Sequence, residues 1–204
     1  MARPAYSQEQ KLEIESSIRA TALRLFAQEG YRSVSLRAIA REMKLSATAL
    51  YRYFENKDAL LAAIRAEGFQ QLRGQLKEVR DSAESGLAAA RGAMVAYINF
   101  GIEQPELYSL MYELDQRDLE EIPLVVESRR RAFAQAEAIA TDILKEYGQT
   151  GNANQMAHLL WISAHGLVAL AVANQLDLGQ DLNQLIEPVL QSTLLGITKS
   201  QGEE

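Results

Sequence analysis

The amino-acid sequence predicts an all-α protein of about nine helices, a small three-helix bundle followed by a larger helical body. Three observations carry this. Apolar residues recur at helical spacing along the chain, and Val, Ile and Thr nowhere alternate with polar residues long enough to make a strand. Only four prolines occur in 204 residues. Residues 33–57, SVSLRAIAREMKLSATALYRYFENK, have the layout of a helix-turn-helix: a short amphipathic helix, a tight turn and a second short helix.

The first helix is expected over residues 7–29, with Ile14, Ile18, Ala22, Leu25 and Phe26 as its apolar stripe and Gly30 as its stop. The second spans residues 36–43, capped by Ser35 and burying Leu36, Ile39, Ala40 and Met43. The third spans residues 47–53, capped by Ser46. The fourth starts near Lys57 and continues to about residue 82 along Leu60, Leu61, Ile64, Phe69, Leu72, Leu76 and Val79. After a break at Ser85–Gly86, a fifth helix covers residues 87–103, and Pro105 opens a sixth holding Leu107, Tyr108, Leu110, Met111, Tyr112 and Leu114. An acidic connection, residues 115–121, leads to a seventh helix from Pro123 to about residue 147. The eighth, residues 155–175, is rich in small residues that admit a close neighbour. The ninth places Leu182, Leu185, Ile186, Val189, Leu190, Thr193, Leu194 and Ile197 on one face, with Pro188 expected to kink it or mark where regular structure starts.

The net charge of −6 is unevenly distributed. Residues 1–57 hold ten Lys/Arg against six Asp/Glu; residues 58–204 hold eleven against twenty-one. The basic excess coincides with the helix-turn-helix, as neutralisation of nucleic-acid phosphates requires, and the acidic remainder would be repelled by DNA. There is no cysteine, which excludes disulfides, thiolate metal sites and cysteine nucleophiles and fits a reducing cytoplasm. The first fifteen residues lack an apolar signal core, and no uninterrupted apolar run approaches a membrane span, so neither secretion nor membrane insertion is expected. His158 and His165 lie seven residues apart, too far along a helix to share an ion, so no metal or other cofactor is expected. No Gly-rich phosphate loop, GxSxG elbow or HExxH is present, which argues against an enzyme.

The helix-turn-helix carries residue types suited to double-stranded DNA. Arg37 on the second helix can fork onto guanine or hold a phosphate. The Ser35 and Ser46 hydroxyls suit phosphates beside helix N-termini. Ala47 and Thr48 open the third helix, small enough for the backbone to come close and with methyl groups that suit thymine. Tyr51 and Tyr53 can donate to phosphates, Arg52 adds a charge beside them, and Lys57 is a further phosphate clamp. Leu50 and Phe54 read as core.

The run LRAIAREMKLSATALYRYFENKDALL resembles the signature of TetR-type regulators, in Ser46, Leu50, Tyr51, Tyr53, Phe54, Asn56 and Lys57. Phe26, Gly30, Tyr31 and Ser35 extend the match, which covers roughly residues 10–65. One departure stands out: Lys44 occupies a turn position that is usually glycine. The resemblance implies a bacterial, cytoplasmic, ligand-responsive transcriptional repressor. It implies an all-helical homodimer whose first three helices bind a pseudo-palindromic operator and whose last two pair across the two-fold axis. The domain boundary is expected at residues 57/58, with effector binding and dimerisation in the second part. A DNA-binding protein of architectural or division-linked role, without an effector, is the alternative.

In the body, Trp161, His165 and Gly166 form Trp-x-x-x-His-Gly, similar to a Trp-His-Gly subgroup of TetR-type C-terminal domains. Tyr97, Tyr108, Met111, Tyr112, Phe133, Trp161 and His165 are candidate walls of a cavity for a small hydrophobic or aromatic molecule. A packing or interface role for His165 is the competing reading, and Gly166 is expected to permit close helix packing. The Arg129–Arg131 triplet reads as a solvated helix face, with an acidic ligand or partner as the alternative.

Overall fold

A computed structural model of the chain describes residues 7–112, 122–176 and 179–199, with side chains as far as residue 193. The described residues are helical with no strand: α1 (Gln8–Glu29), α2 (Leu36–Glu42), α3 (Ala47–Tyr51), α4 (Lys57–Ser82), α5 (Gly86–Glu103), α6 (Pro105–Tyr112), α7 (Pro123–Glu146), α8 (Ala153–Val172) and α9 (Leu182–Lys199). The acidic connection at residues 115–121 and Leu114 lie outside the described residues, as do the Leu194 and Ile197 side chains.

The chain forms two compact units whose division falls inside α4, between Glu67 and Gly68; the first turn of α7 as far as Val125 belongs to the first unit. In the first unit, local chemistry explains each helix end. Ser7 and Gln10 form a reciprocal capping box at the start of α1, and Gly30 ends it at φ 80°. Ile18, Ala22, Leu25 and Phe26 are its buried stripe. Ser35 caps α2 by accepting from the Ala38 N–H at 3.2 Å. Ser46 does the same for α3 through the Ala49 N–H at 3.1 Å. Asn56 caps α4 through the Ala59 N–H at 2.7 Å. Ile39, Leu50, Leu60 and Leu61 are fully buried at the centre of this unit.

The turn between α2 and α3 accounts for Lys44. The Leu45 N–H bonds the Ala40 carbonyl at 2.8 Å and the Lys44 N–H bonds the Arg41 carbonyl at 3.1 Å, a Schellman closure. That closure needs a left-handed residue between them, and Lys44 takes it at φ 55°. A side chain there costs on the order of 1 kcal/mol relative to glycine. α3 is shorter than its pattern predicts: Arg52 caps it, and the Tyr53 and Phe54 N–H groups both return to the Leu50 carbonyl.

In the second unit α5 packs on α6, α8 and α9, and α8 packs on α9. Close approach is made at glycines of α5. A Cβ at Gly101 would lie 2.2 Å from Val168 Cγ1 of α8, and one at Gly86 would lie 2.7 Å from the Ile143 backbone nitrogen of α7. The close approach expected at Gly166 is not made within one copy: a Cβ there would meet nothing within 4 Å. Pro188 sits inside α9, which continues through it. α8 has the length and mean hydropathy, 1.4, of a membrane-crossing helix, though His158, Ser163 and His165 interrupt it. Its Leu160, Ala164, Leu167 and Val168 are core of this unit.

Candidate nucleic-acid interface and ligand cavity

The two short helices of the first unit bury Leu36, Ile39, Ala40 and Leu50 and leave one face to solvent. Arg37, Thr48, Tyr51 and Arg52 are exposed, with Tyr51 at 48 %. Ala47 and Tyr53 are half-buried. Leu50 and Phe54, from the same turns, are the buried partners that fix this surface in place. Ser35 and Ser46 use their oxygens as acceptors for the caps, so each hydroxyl hydrogen remains available to an external acceptor.

Lys57 is drawn inward instead. Its ammonium donates to the Tyr31 carbonyl at 2.8 Å and the Arg32 carbonyl at 3.4 Å, and lies 4.2 Å from the centre of the Tyr31 ring. The Tyr31 hydroxyl in turn bonds the Asp58 carboxylate, and burial first, then that carboxylate, push the phenol's pKa up. Lys57 therefore ties the α1–α2 connection to the start of α4.

The second unit encloses a cavity of about 630 Å³. Its wall is mostly apolar: Phe69, Leu72 and Leu76 of α4, Met94 and Tyr97 of α5, Tyr112 of α6, Phe133 and Ile139 of α7, and Leu160 and Trp161 of α8 contribute. Tyr97, Tyr112, Phe133 and Trp161 among the candidates read from the sequence thus line it. Tyr108, Met111 and His165 do not. Met111 is 1 % exposed and fills the space left by Gly68, where a Cβ would lie 2.4 Å from its sulfur.

Tyr108 and His165 stand behind the wall in a hydrogen-bonded cluster centred on Tyr97. The Trp161 Nε1–H donates to the Tyr97 oxygen at 3.0 Å, and Tyr97 donates to the Tyr112 oxygen at 3.1 Å. Tyr97 also lies 3.2 Å from the Tyr108 hydroxyl and 3.1 Å from His165 Nδ1, which the Tyr108 hydroxyl meets as well. With Tyr108 donating to Nδ1, the imidazole is neutral and carries its hydrogen on Nε2. Burial favours that state by lowering the His165 pKa, and burial raises the pKa of all three tyrosines, which stay neutral phenols.

The cavity wall also contains Arg129 and Arg130, which the sequence reads first as a solvated face, His158, which it weighs only as a metal ligand, and Glu137 and Asn154, which it does not single out. Arg130 and Arg131 are exposed, Arg131 paired with Glu127 along the helix, while Arg129 is half-buried and both Arg129 and Arg130 border the cavity. The available signal was Phe133, one turn after Arg129 and three residues after Arg130. The Asn154 amide bonds Glu137, and His158 packs against Phe133 at 4.5 Å between ring centres. No group of three metal-ligating side chains occurs among the described residues.

Two family profiles match the chain. The profile of the bacterial regulatory proteins, tetR family, matches residues 18–64, and that of the tetracyclin repressor-like C-terminal domain matches residues 90–193. The chain is 33% identical over 98 residues to an uncharacterised HTH-type transcriptional regulator, YuxN, of Bacillus subtilis, covering 48% of this chain and 34% of that one. It is 41% identical over 73 residues to the HTH-type nicotine-responsive transcriptional repressor HdnoR of Paenarthrobacter nicotinovorans, covering 36% and 38%. The chain thus matches only a little over a third of the length of these curated relatives. A solved structure of a protein with unknown function from Rhodococcus sp. RHA1 superposes with a TM-score of 0.78 at 25% identity, over 90% of this chain and 94% of that one. With the second profile alone spanning half of its residues, the chain belongs to the TetR family of bacterial regulatory proteins.

Proposed function

We propose that this protein is a cytoplasmic homodimeric transcriptional repressor that binds a pseudo-palindromic operator and releases it when a small apolar molecule fills the body cavity. The observation that carries the reading is the surface of α2 and α3. Arg37, Thr48, Tyr51 and Arg52 are exposed on capped helices, in the part of the chain with a basic excess. These are groups that bond phosphates and base edges, and Ser35, Ser46, Ala47, Tyr53 and Lys57 flank them.

Dimerisation through the last two helices is supported by the outer face of α8. Leu159, Ile162 and Leu170 are exposed, at 49%, 60% and 47%, and Gly166 lies open between them. The steps of three and four residues make one apolar seam suited to a two-fold mate, which would also supply the neighbour that Gly166 lacks. The cavity supports the effector role. Phe69, Leu72 and Leu76 on its wall belong to the same helix as Lys57, so an occupant that displaces α4 alters the spacing of the two recognition helices.

The test is a gel shift with purified protein on DNA carrying an inverted repeat from upstream of its own gene. Replacing Arg37 or Tyr51 by Ala is expected to weaken binding by about tenfold, equivalent to ~1.4 kcal/mol. Unchanged affinity in both variants refutes the surface. Binding that no cavity ligand alters leaves the architectural alternative.

A further inference from the structure

The strain at Lys44 is offset by no contact within the described chain. Its φ of 55° is a conformation that glycine takes freely and a lysine does not. Its side chain is exposed, with no hydrogen bond or ion pair among the described residues. The closure between α2 and α3 uses only the Lys44 and Leu45 N–H groups, so a glycine would serve the turn as well. Nothing in the first unit accounts for a long cationic side chain at this position.

The charges around Lys44 are sorted. Arg37 and Arg41 are both exposed, lie four residues apart and share a flank of α2; Lys44 follows three residues on. Neither arginine has an ion pair among the described residues. The single carboxylate of α2, Glu42, lies about 100° further round the helix from Arg41. It is bonded at 2.5 Å to Arg24 of α1, which neutralises it. Residues 43–54 contain no carboxylate. Arg37, Arg41 and Lys44 thus form a cationic track from the outer face of α2 to within two residues of Ser46, the cap of α3. In a helix-turn-helix the first helix crosses the DNA backbone and the N-terminal residues of the second meet base edges. The track runs along the path of the phosphates in that arrangement. A lysine ammonium, a point charge on a flexible stem with three N–H donors, holds a phosphate without a fixed approach.

We propose that Arg41 and Lys44 hold DNA backbone phosphates beside the groove that α3 enters, widening the contact surface beyond Arg37, Thr48, Tyr51 and Arg52. This rests on α2 and α3 being the DNA-binding face. The left-handed turn places a cation next to the recognition helix, and its strain is offset in the complex rather than in the free protein. Phosphate contacts are independent of sequence, so Arg41 and Lys44 set affinity and its salt dependence and leave the choice of operator to the other residues. The competing role is structural, because cations near the C-terminus of α2 also favour its unpaired carbonyls.

The test is fluorescence anisotropy of the full chain on two labelled duplexes, read from ~50 to ~200 mM salt. One duplex carries the inverted repeat from upstream of its own gene and the other an unrelated sequence. Lys44→Gly relieves the turn and is expected to reduce the steepness of log K against log salt by about 0.9 per protomer, about 1.8 for a dimer, on both duplexes. Arg41→Gln is expected to do the same, and neither changes the ratio of the two affinities. Lys44→Arg keeps the charge and is expected to keep the slope. Lys77→Gln, which removes a cation paired with Asp81 in the second unit, is expected to leave the slope unchanged. An unchanged slope in one variant removes that residue from the contact, and in both overturns the proposal. An unchanged slope with a lower midpoint of denaturation in Lys44→Gly assigns the side chain to the stability of α2 instead. An equal loss in Lys77→Gln attributes the effect to net charge and overturns the contact. Arg37→Ala and Tyr51→Ala separate this from the DNA-binding face itself. Unchanged affinity in those two beside a lowered slope in Lys44→Gly upholds the phosphate contact and sinks the proposed reading residues. Their weakening beside unchanged slopes in Lys44→Gly and Arg41→Gln does the reverse, and failure of the unaltered protein to bind either duplex sinks both.

Discussion

The N-terminal unit turns its distinctive side chains outward, whereas the second unit turns its own inward. In the first, Ser35, Ser46 and Asn56 fix the helix ends through the backbone, so Arg37, Thr48, Tyr51 and Arg52 are left to solvent. In the second, Tyr97, Tyr112 and Trp161 line the cavity and bond to one another and to Tyr108 and His165 behind them. The difference is one of sequence distance. The caps join residues three apart, and the cluster joins residues up to sixty-eight apart. The exposed face of the short helices is set by local rules, and the cavity is set by helix packing.

That contrast is most severely tested at Gly101. Gly101→Ala would place a Cβ 2.2 Å from Val168 Cγ1 and 3.1 Å from Tyr108 Cδ2. Overpacking of this kind costs about 1–3 kcal/mol. Hydrogen exchange is expected to show lost protection in α5 and α8 and unchanged protection in α2. Equal loss in both would mean the two units do not stabilise themselves separately.

Removing a cap tests the other side. Ser46→Ala is expected to cost about 1 kcal/mol and to act on α3 first. Its chemical-shift changes should stay within residues near α2 and α3; changes reaching Trp161 would break the comparison.

Lys44→Gly is the reverse experiment. It removes the left-handed strain at φ 55° and is expected to raise stability by up to ~1 kcal/mol, less the extra freedom glycine gives the unfolded chain. A lower midpoint of denaturation would show that the Lys44 side chain contributes something its geometry does not reveal.

The smallest expected effect is a pH dependence confined to the second unit, which holds both histidines of the chain. Burial lowers the folded pKa of His165 below its ordinary value near 6.5. The unfolded chain then binds the proton more readily, so this contribution to stability is present above pH 6.5 and is lost as the pH falls through the folded value. An NMR titration midpoint for His165 at or above 6.5 would contradict the buried, neutral imidazole.

Much of this was legible beforehand for the same physical reason. Apolar periodicity, proline positions and capping residues located the helices to within a few residues, because each is a short-range signal. The end of α3 was missed because Arg52 and Tyr53 continue the pattern while their hydrogen bonds tighten back onto Leu50. Tyr97, Tyr112, Phe133 and Trp161 could be grouped from helical spacing, but spacing could not tell them from Tyr108, Met111 and His165, which share it. Lys57 reads as a surface cation by type, yet it bonds Tyr31 and Arg32, residues twenty-six and twenty-five positions away.

By itself, then, the sequence determined the helices, their caps, the unusual turn residue Lys44 and the basic excess of the N-terminal part. These depend on neighbours within about one helical turn. Only the tertiary structure decided which aromatic residues face the chamber, that Arg129 and Arg130 join its wall, that Gly101 rather than Gly166 makes the close approach within one copy, and that the division falls inside α4. Those facts depend on how α4 to α8 cross, and crossing is settled by the fit of side chains that lie tens of residues apart in the chain.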